Sequence, residues 1–283
     1  MAMGLTLIYS TIRVLNFAHG AFFMAGAYIV WWLNTPSSVL YGTLLPTSGL
    51  ALPLAVAVIP AVLTIFVVGM GTQRAMIRPL VKKANPLITT LVATLALATI
   101  LESIATLIFG GGRLQFASEI ATGVIRYGGL VITYAELVQL VVAVIVLVAL
   151  QLFLKRSRYG IGMRAVAQDL DAANLCGINT ENVYMLAFGL GAALAAVAGF
   201  LLTNIVFISP DVGWTPLTIA FIVVVFGGIG SVSGTLLASY IIAIVQQYVT
   251  LFLDASWGLS FAFLLMIAVL MVRPRGLFGF KEV

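Results

Sequence analysis

Apolar runs long enough to cross a bilayer recur from one end of this 283-residue chain to the other, with short polar stretches between them. A transmembrane helix needs about 20 predominantly apolar residues to span roughly 30 Å of hydrocarbon. Residues 50–70, 86–109, 134–154 and 183–208 are the clearest such spans, and 233–253 and 256–272 supply two more. Three further runs, 3–12, 21–33 and 217–229, are short. An outer segment at 209–216 and a cationic end at Arg273 and Arg275 require an odd number of crossings between them, so 217–229 reads as a truncated helix. The pattern predicts an all-α, polytopic transmembrane helical bundle of about eight or nine membrane segments, some of them broken. No long polar linker interrupts the series, so residues 1–283 read as one transmembrane domain. Residues 3–12 are too few to cross, and the N-terminal helix reads as truncated. No basic region precedes that apolar stretch, so it does not read as a cleavable signal peptide.

The longest polar interruption is 155–182, KRSRYGIGMRAVAQDLDAANLCGINTEN. Met163, Val166, Leu170, Ala173 and Gly177 fall there at three- and four-residue steps, one face of a short helix. The spacing predicts an amphipathic helix from about Gly162 to Cys176 lying on the membrane surface. Gly177 can stop it in a left-handed cap, and Asn179 or Thr180 can cap the span that follows. Arg164, Asp169, Asp171, Ala172 and Gly177 are its candidate docking residues for a cytosolic partner, and 155–182 reads as a coupling loop.

Charge fixes a sidedness. Eleven of the fourteen cations sit in three clusters: Arg74, Arg78, Lys82 and Lys83; Lys155, Arg156, Arg158 and Arg164; Arg273, Arg275 and Lys281. The positive-inside rule places all three on the cytoplasmic face. That makes the chain a multi-pass protein of the cell (inner) membrane with a cytoplasmic C-terminus. Residues 34–49, 110–133 and 209–216 then fall outside, with Trp31, Trp32, Trp214 and Trp257 at outer helix ends.

Composition narrows the chemistry. The chain is 62% hydrophobic and 8% charged, with a mean hydropathy of +1.18, far from a soluble domain. Its surroundings are lipid, and its net charge of +5 is too scattered to suit nucleic acid. Cys176 and His19 each stand alone of their kind, which leaves no disulfide and no metal cluster of several cysteines or histidines. None of the lysines completes a Walker A pattern, and no nucleophilic triad or carboxylate pair is present, so the chain does not read as an enzyme and needs no cofactor of its own.

Two breaks interrupt apolar sequence near opposite ends of the chain. They are Asn16-Phe17-Ala18-His19-Gly20 and Gly227-Gly228-Ile229-Gly230-Ser231-Val232-Ser233-Gly234. Irregular backbone at membrane depth is tolerated only where protein or a wet cavity satisfies it. Paired interruptions in the two halves of a transporter point to the translocation path. Interfacial turns, or glycines that merely admit a neighbouring helix, produce the same pattern. Gly191, Ala195 and Gly199 form a small-residue stripe for helix packing, within the subunit or against another. Glu102 is the one acid inside a clear span, either a functional ionisable group or one that is neutral or hydrogen-bonded to a neighbouring helix.

Five segments resemble the permease of branched-chain amino-acid ABC importers, the leucine–isoleucine–valine type. They are GLTLIYSTIRVLNFAHGAFFMAGAY, RYGIGMRAVAQDLDAANLCGIN, FGLGAALAAVAGFL, VVFGGIGSVSGTLLASY and VRPRGLFG, in family order. The resemblance implies a second homologous permease subunit, cytosolic ATPase subunits that bind the ATP, and a periplasmic or extracellular substrate-binding protein. It implies that 158–179 docks the ATPase. It places Asn16, His19, Gly20, Gly227, Gly228, Gly230 and Ser231 in the membrane core near the path. The family usually begins further upstream, and it tends to carry an uncharged polar residue such as Gln where Glu102 stands. Relatives that move urea or short amides fit the same motifs. An ion-coupled secondary transporter using Glu102 and a membrane scaffold without a solute are the rival classes.

Overall fold

The computed structural model describes residues 1–35, 52–81, 83, 85–115, 123–127, 130–203 and 206–279. Lys82, Lys281 and much of the expected outer segments 34–49 and 110–133 lie outside the described residues. The described chain is almost wholly helical. Helices α1 (Ala2–Ile12), α2 (Ala18–Asn34) and α3 (Leu54–Thr72) lead, through a π-turn at Gln73–Ile77 and a short α4 (Arg78–Val81), to α5 (Pro86–Phe109). A small antiparallel hairpin follows, β1 (Val124–Tyr127) with β2 (Leu130–Thr133), Val124 opposite Thr133. Then come α6 (Tyr134–Arg156), α7 (Arg158–Gln168), α8 (Leu170–Leu175), α9 (Thr180–Thr203), α10 (Trp214–Gly227), α11 (Val232–Phe252) and α12 (Gly258–Val272).

Six helical stretches are long and apolar enough to cross a membrane, and α1 and α10 are shorter apolar helices. The all-α reading therefore holds, with the hairpin as an addition inside the glycine-rich segment. Its second strand runs directly into α6, whose first turn is closed by a capping box. The Thr133 hydroxyl accepts the Glu136 N–H, and the Glu136 carboxylate accepts the Thr133 N–H.

Helix α9 is the most enclosed of the six spans and packs against α1, α2 and α3. The small-residue stripe makes this possible. A Cβ on Gly191 would meet the Gly4 carbonyl oxygen at 3.0 Å, one on Gly26 would meet the Ala196 Cβ at 2.5 Å, and one on Gly69 would meet the Ala192 Cβ at 2.6 Å. Gly199 lies against the backbone of Phe23. The stripe at Gly191, Ala195 and Gly199 is thus spent inside this chain. Close approach of this kind is what holds membrane helices together where lipid offers no hydrophobic driving force.

Candidate functional site

The site is built around α1 and α10, each of which touches both breaks. The C-terminal end of α1 turns at Arg13, whose φ of 56° is the left-handed exception among non-glycine residues described, and the Arg13 N–H donates to the Tyr9 carbonyl. Such a conformation is unusual for a residue with a side chain and costs on the order of 1–3 kcal/mol. The first break is therefore Arg13–Phe17. His19 and Gly20, expected within it, belong instead to the first turn of α2. Phe17 has no side-chain oxygen to cap that helix. Its own N–H is taken by the Thr94 hydroxyl of α5 at 3.2 Å.

Asn16 and His19 are fully buried. One ring nitrogen of His19, Nε2, lies 3.2 Å from the Met1 carbonyl oxygen. The other, and both polar atoms of the Asn16 carboxamide, have no hydrogen-bond partner among the described residues. Gly20 sits against Gly213, where α10 begins. Buried polar groups left without partners are rare enough that each one needs an explanation.

The second break runs from the end of α10 into α11. Gly227 is still helical, while Gly228 (φ 101°) and Gly230 (φ 86°) adopt backbone that only glycine takes without strain. Ser231 is the N-cap of α11, its hydroxyl accepting the Gly234 N–H at 3.1 Å. The last carbonyls of α10 are not left open. The segment after α12 folds back, and the N–H groups of Leu277 and Phe278 donate to the carbonyls of Phe226 and Gly227 at 2.9 and 3.0 Å. Sequence reasoning gave that strap no role, because nothing in VRPRGLFG specifies which carbonyls it will meet.

The two breaks meet across α1. Thr6 and Thr235 share a buried hydrogen bond of 2.8 Å, and Gly230 faces Ser10. A small apolar cavity, with room for little more than a water molecule, lies between them, lined by Leu5 and Tyr9 of α1, Leu15 of the first break, Phe221 and Val225 of α10, and Ile229 of the second. The Phe17 and Phe221 rings pack at 4.9 Å beside it. Tyr9, Leu15, Phe221 and Val225 were not candidates from sequence. They are ordinary apolar letters whose convergence depends on how short helices α1 and α10 cross.

The polar loop differs from the expected single helix. The backbone of Asp169 is extended (φ −151°, ψ 114°) and divides the segment into α7 and α8. Its carboxylate accepts the N–H groups of Asp171 and Ala172 at 2.9 and 3.0 Å, so it caps α8 rather than standing free. The break also resets the helical phase. Met163, Val166 and Ala173 are buried as the spacing predicts, whereas Leu170 and Gly177 are exposed. Arg164, Asp169, Asp171 and Ala172 are exposed too, as is the side of the loop they form. Gly177 has φ 79°, and Asn179 Oδ1 accepts the Asn182 N–H at the start of α9. One residue pair extends the joint: Arg78, beyond the π-turn of α3, is ion-paired with Glu181 in the first turn of α9.

Glu102 lies in the second half of α5. The Trp214 side chain and the Asp211 carboxylate are its nearest polar neighbours. It is partly exposed, and it belongs to the end of the bundle where Trp31 Nε1–H donates to the Gln115 carbonyl and Leu114 bridges Ile208.

Residues 1–270 match the family model described as branched-chain amino acid transport system / permease component. Among curated proteins, the chain is 33% identical to the high-affinity branched-chain amino acid transport system permease protein BraD of Pseudomonas aeruginosa, over 100% of this chain and 92% of that protein. It is 31% identical to the permease protein LivH of Escherichia coli, covering 100% and 91%. It is 30% identical to the probable branched-chain amino acid transport permease protein LivH of Methanocaldococcus jannaschii, covering 99% and 87%. No solved structure matches the chain.

Proposed function

This chain belongs to the family of branched-chain amino acid transport permease components, and from that premise we propose that it is the membrane-spanning subunit of an ATP-driven importer for branched-chain or related amino acids. The observation that carries the reading is full-length similarity to permeases named for that substrate class, on a chain with six membrane-length helices. The subunit forms the path and leaves ATP chemistry to a separate cytosolic ATPase. A second permease subunit and a substrate-binding protein outside the membrane complete the transporter.

Two parts of the chain divide the work. Helices α7 and α8 present Arg164, Asp169, Asp171 and Ala172 to the ATPase, and Gly177 turns the chain tightly into α9. Because Asn179 caps α9 and Glu181 holds Arg78, a push on the loop reaches both α9 and the inner end of α3. The breaks flanking α1, with Asn16, His19, Gly20, Gly227, Gly228, Gly230 and Ser231, belong to the path. With the loop and the C-terminus on the cytoplasmic face, the three cationic clusters obey the positive-inside rule. Glu102, beside Trp214 at the opposite end, has no part in this reading as an ion carrier.

The test is co-purification. Expressed with the ATPase subunit of a branched-chain amino acid importer from the same organism, the tagged chain is expected to retain that ATPase through detergent extraction. Complete absence of the ATPase from a correctly inserted chain contradicts the assignment.

A further inference from the structure

We propose that residues 273–279, the strap that follows α12, are a latch on the second break, holding the inner end of α10 in place and releasing it when the path opens. The latch presupposes the reading above, in which the two breaks belong to the path. Between α1 and α10 there is room for little more than a water molecule, so a solute as large as an amino acid passes there only after those helices part. The inner end of α10 is fastened twice. Gly227 packs against the backbone of Gly234 in α11, and its carbonyl accepts the Phe278 N–H of the strap.

The strap meets the break backbone to backbone. Its Leu277 and Phe278 N–H groups hold the carbonyls of Phe226 and Gly227, acceptors that the end of a helix leaves without partners. Gly276, with φ 75°, lies so close to Gly228 that a Cβ on it would meet the Gly228 nitrogen at 2.6 Å and the Val225 carbonyl oxygen at 2.7 Å. A Cβ on Gly228 would meet the Gly279 Cα at 2.9 Å. The strap therefore closes on the joint whose Gly228 and Gly230 have the backbone freedom to absorb the φ/ψ changes of a hinge. Its hold is slight. Leu277 packs on the cluster that contains Ile222 and Phe226, whereas Arg273, Pro274, Arg275 and Phe278 are exposed. Among the described residues neither Arg273 nor Arg275 has an ion pair. Two backbone hydrogen bonds, each of modest net worth against water, and one leucine make a contact suited to release and return.

The test uses the complete transporter in proteoliposomes, with Cys176→Ser and the pair Ile229→Cys and Phe278→Cys. These positions are 42% and 48% exposed and flank the contact at Gly228. A short bis-methanethiosulfonate reagent links the pair, and a reductant frees it. Linking is expected to stop leucine uptake relative to the same protein before treatment, and reduction to restore it. Leu277→Ala keeps both N–H donors while weakening the hold, and is expected to raise ATP hydrolysis without binding protein about threefold by shifting the balance toward the released state. Uptake that continues at the unlinked rate in fully linked protein overturns the latch and leaves the strap a static cap, and unchanged hydrolysis in Leu277→Ala contradicts it too. Failure of the pair to link, while each cysteine alone reacts, also overturns it. Failure of the unaltered transporter to take up leucine overturns the proposed function instead.

Discussion

At the residue scale, the informative positions are those where a polar group is held or left unheld inside apolar surroundings. Thr6 and Thr235 satisfy each other across the space between α1 and α11. Asn16 does not find a partner, although it is wholly buried. A buried amide without a hydrogen bond costs about 1–3 kcal/mol. Glu102 is only partly buried and has the Trp214 side chain beside it. Glu102→Gln keeps an acceptor oxygen for the indole and is expected to retain most uptake, with rates indifferent to a proton gradient. Uptake abolished by this change, or by an uncoupler at constant ATP, would make Glu102 an ion carrier. The breaks, the lone acid and the small-residue stripe were legible in the sequence because each is a polar or glycine letter in apolar text. Arg13's left-handed turn and the cavity wall were not, since Arg, Leu and Val there carry no local signal and acquire meaning only through packing.

Among the elements, the coupling loop shows where periodicity misleads. Three- and four-residue spacing over Met163–Gly177 is consistent with one helix, yet Asp169 competes for the backbone. Its side chain caps the N-terminus of α8, the general reason Asp is favoured at caps and disfavoured in helix interiors. Capping, rather than charge, is then the first contribution of Asp169. Asp169→Asn preserves an accepting oxygen and is expected to keep ATPase docking, while Asp169→Ala loses about 0.5–2 kcal/mol of cap and is expected to weaken it. Gly177→Val forces a β-branched residue into left-handed backbone, at a cost of about 1–2 kcal/mol, and should loosen the joint to α9. ATPase co-purification and stimulated ATP hydrolysis measure all three variants. Equal docking and equal hydrolysis throughout would remove the loop from the coupling path.

For the whole molecule, six long spans, the shorter apolar helices α1, α2 and α10, and two breaks form an asymmetric bundle among the described residues, whose centre is α9. Helix number and type followed from apolar run lengths, because span length is dictated by bilayer thickness. The tertiary arrangement did not follow, since a stripe of small residues tells that a helix is approached closely but not by which neighbours. The structure assigns those neighbours as α1, α2 and α3. The breaks meet on α1, and the loop is tied through the Arg78–Glu181 ion pair to α9 and to the segment that follows α3.

As the path of an importer driven by ATP, this chain must move solute only when ATP is hydrolysed. The most direct measurement is uptake of labelled leucine by proteoliposomes holding the permease pair and ATPase, with binding protein outside and ATP inside. The expected result is accumulation that requires both ATP and binding protein and persists when ion gradients are collapsed. Accumulation without ATP, driven by a proton or sodium gradient alone, would contradict it.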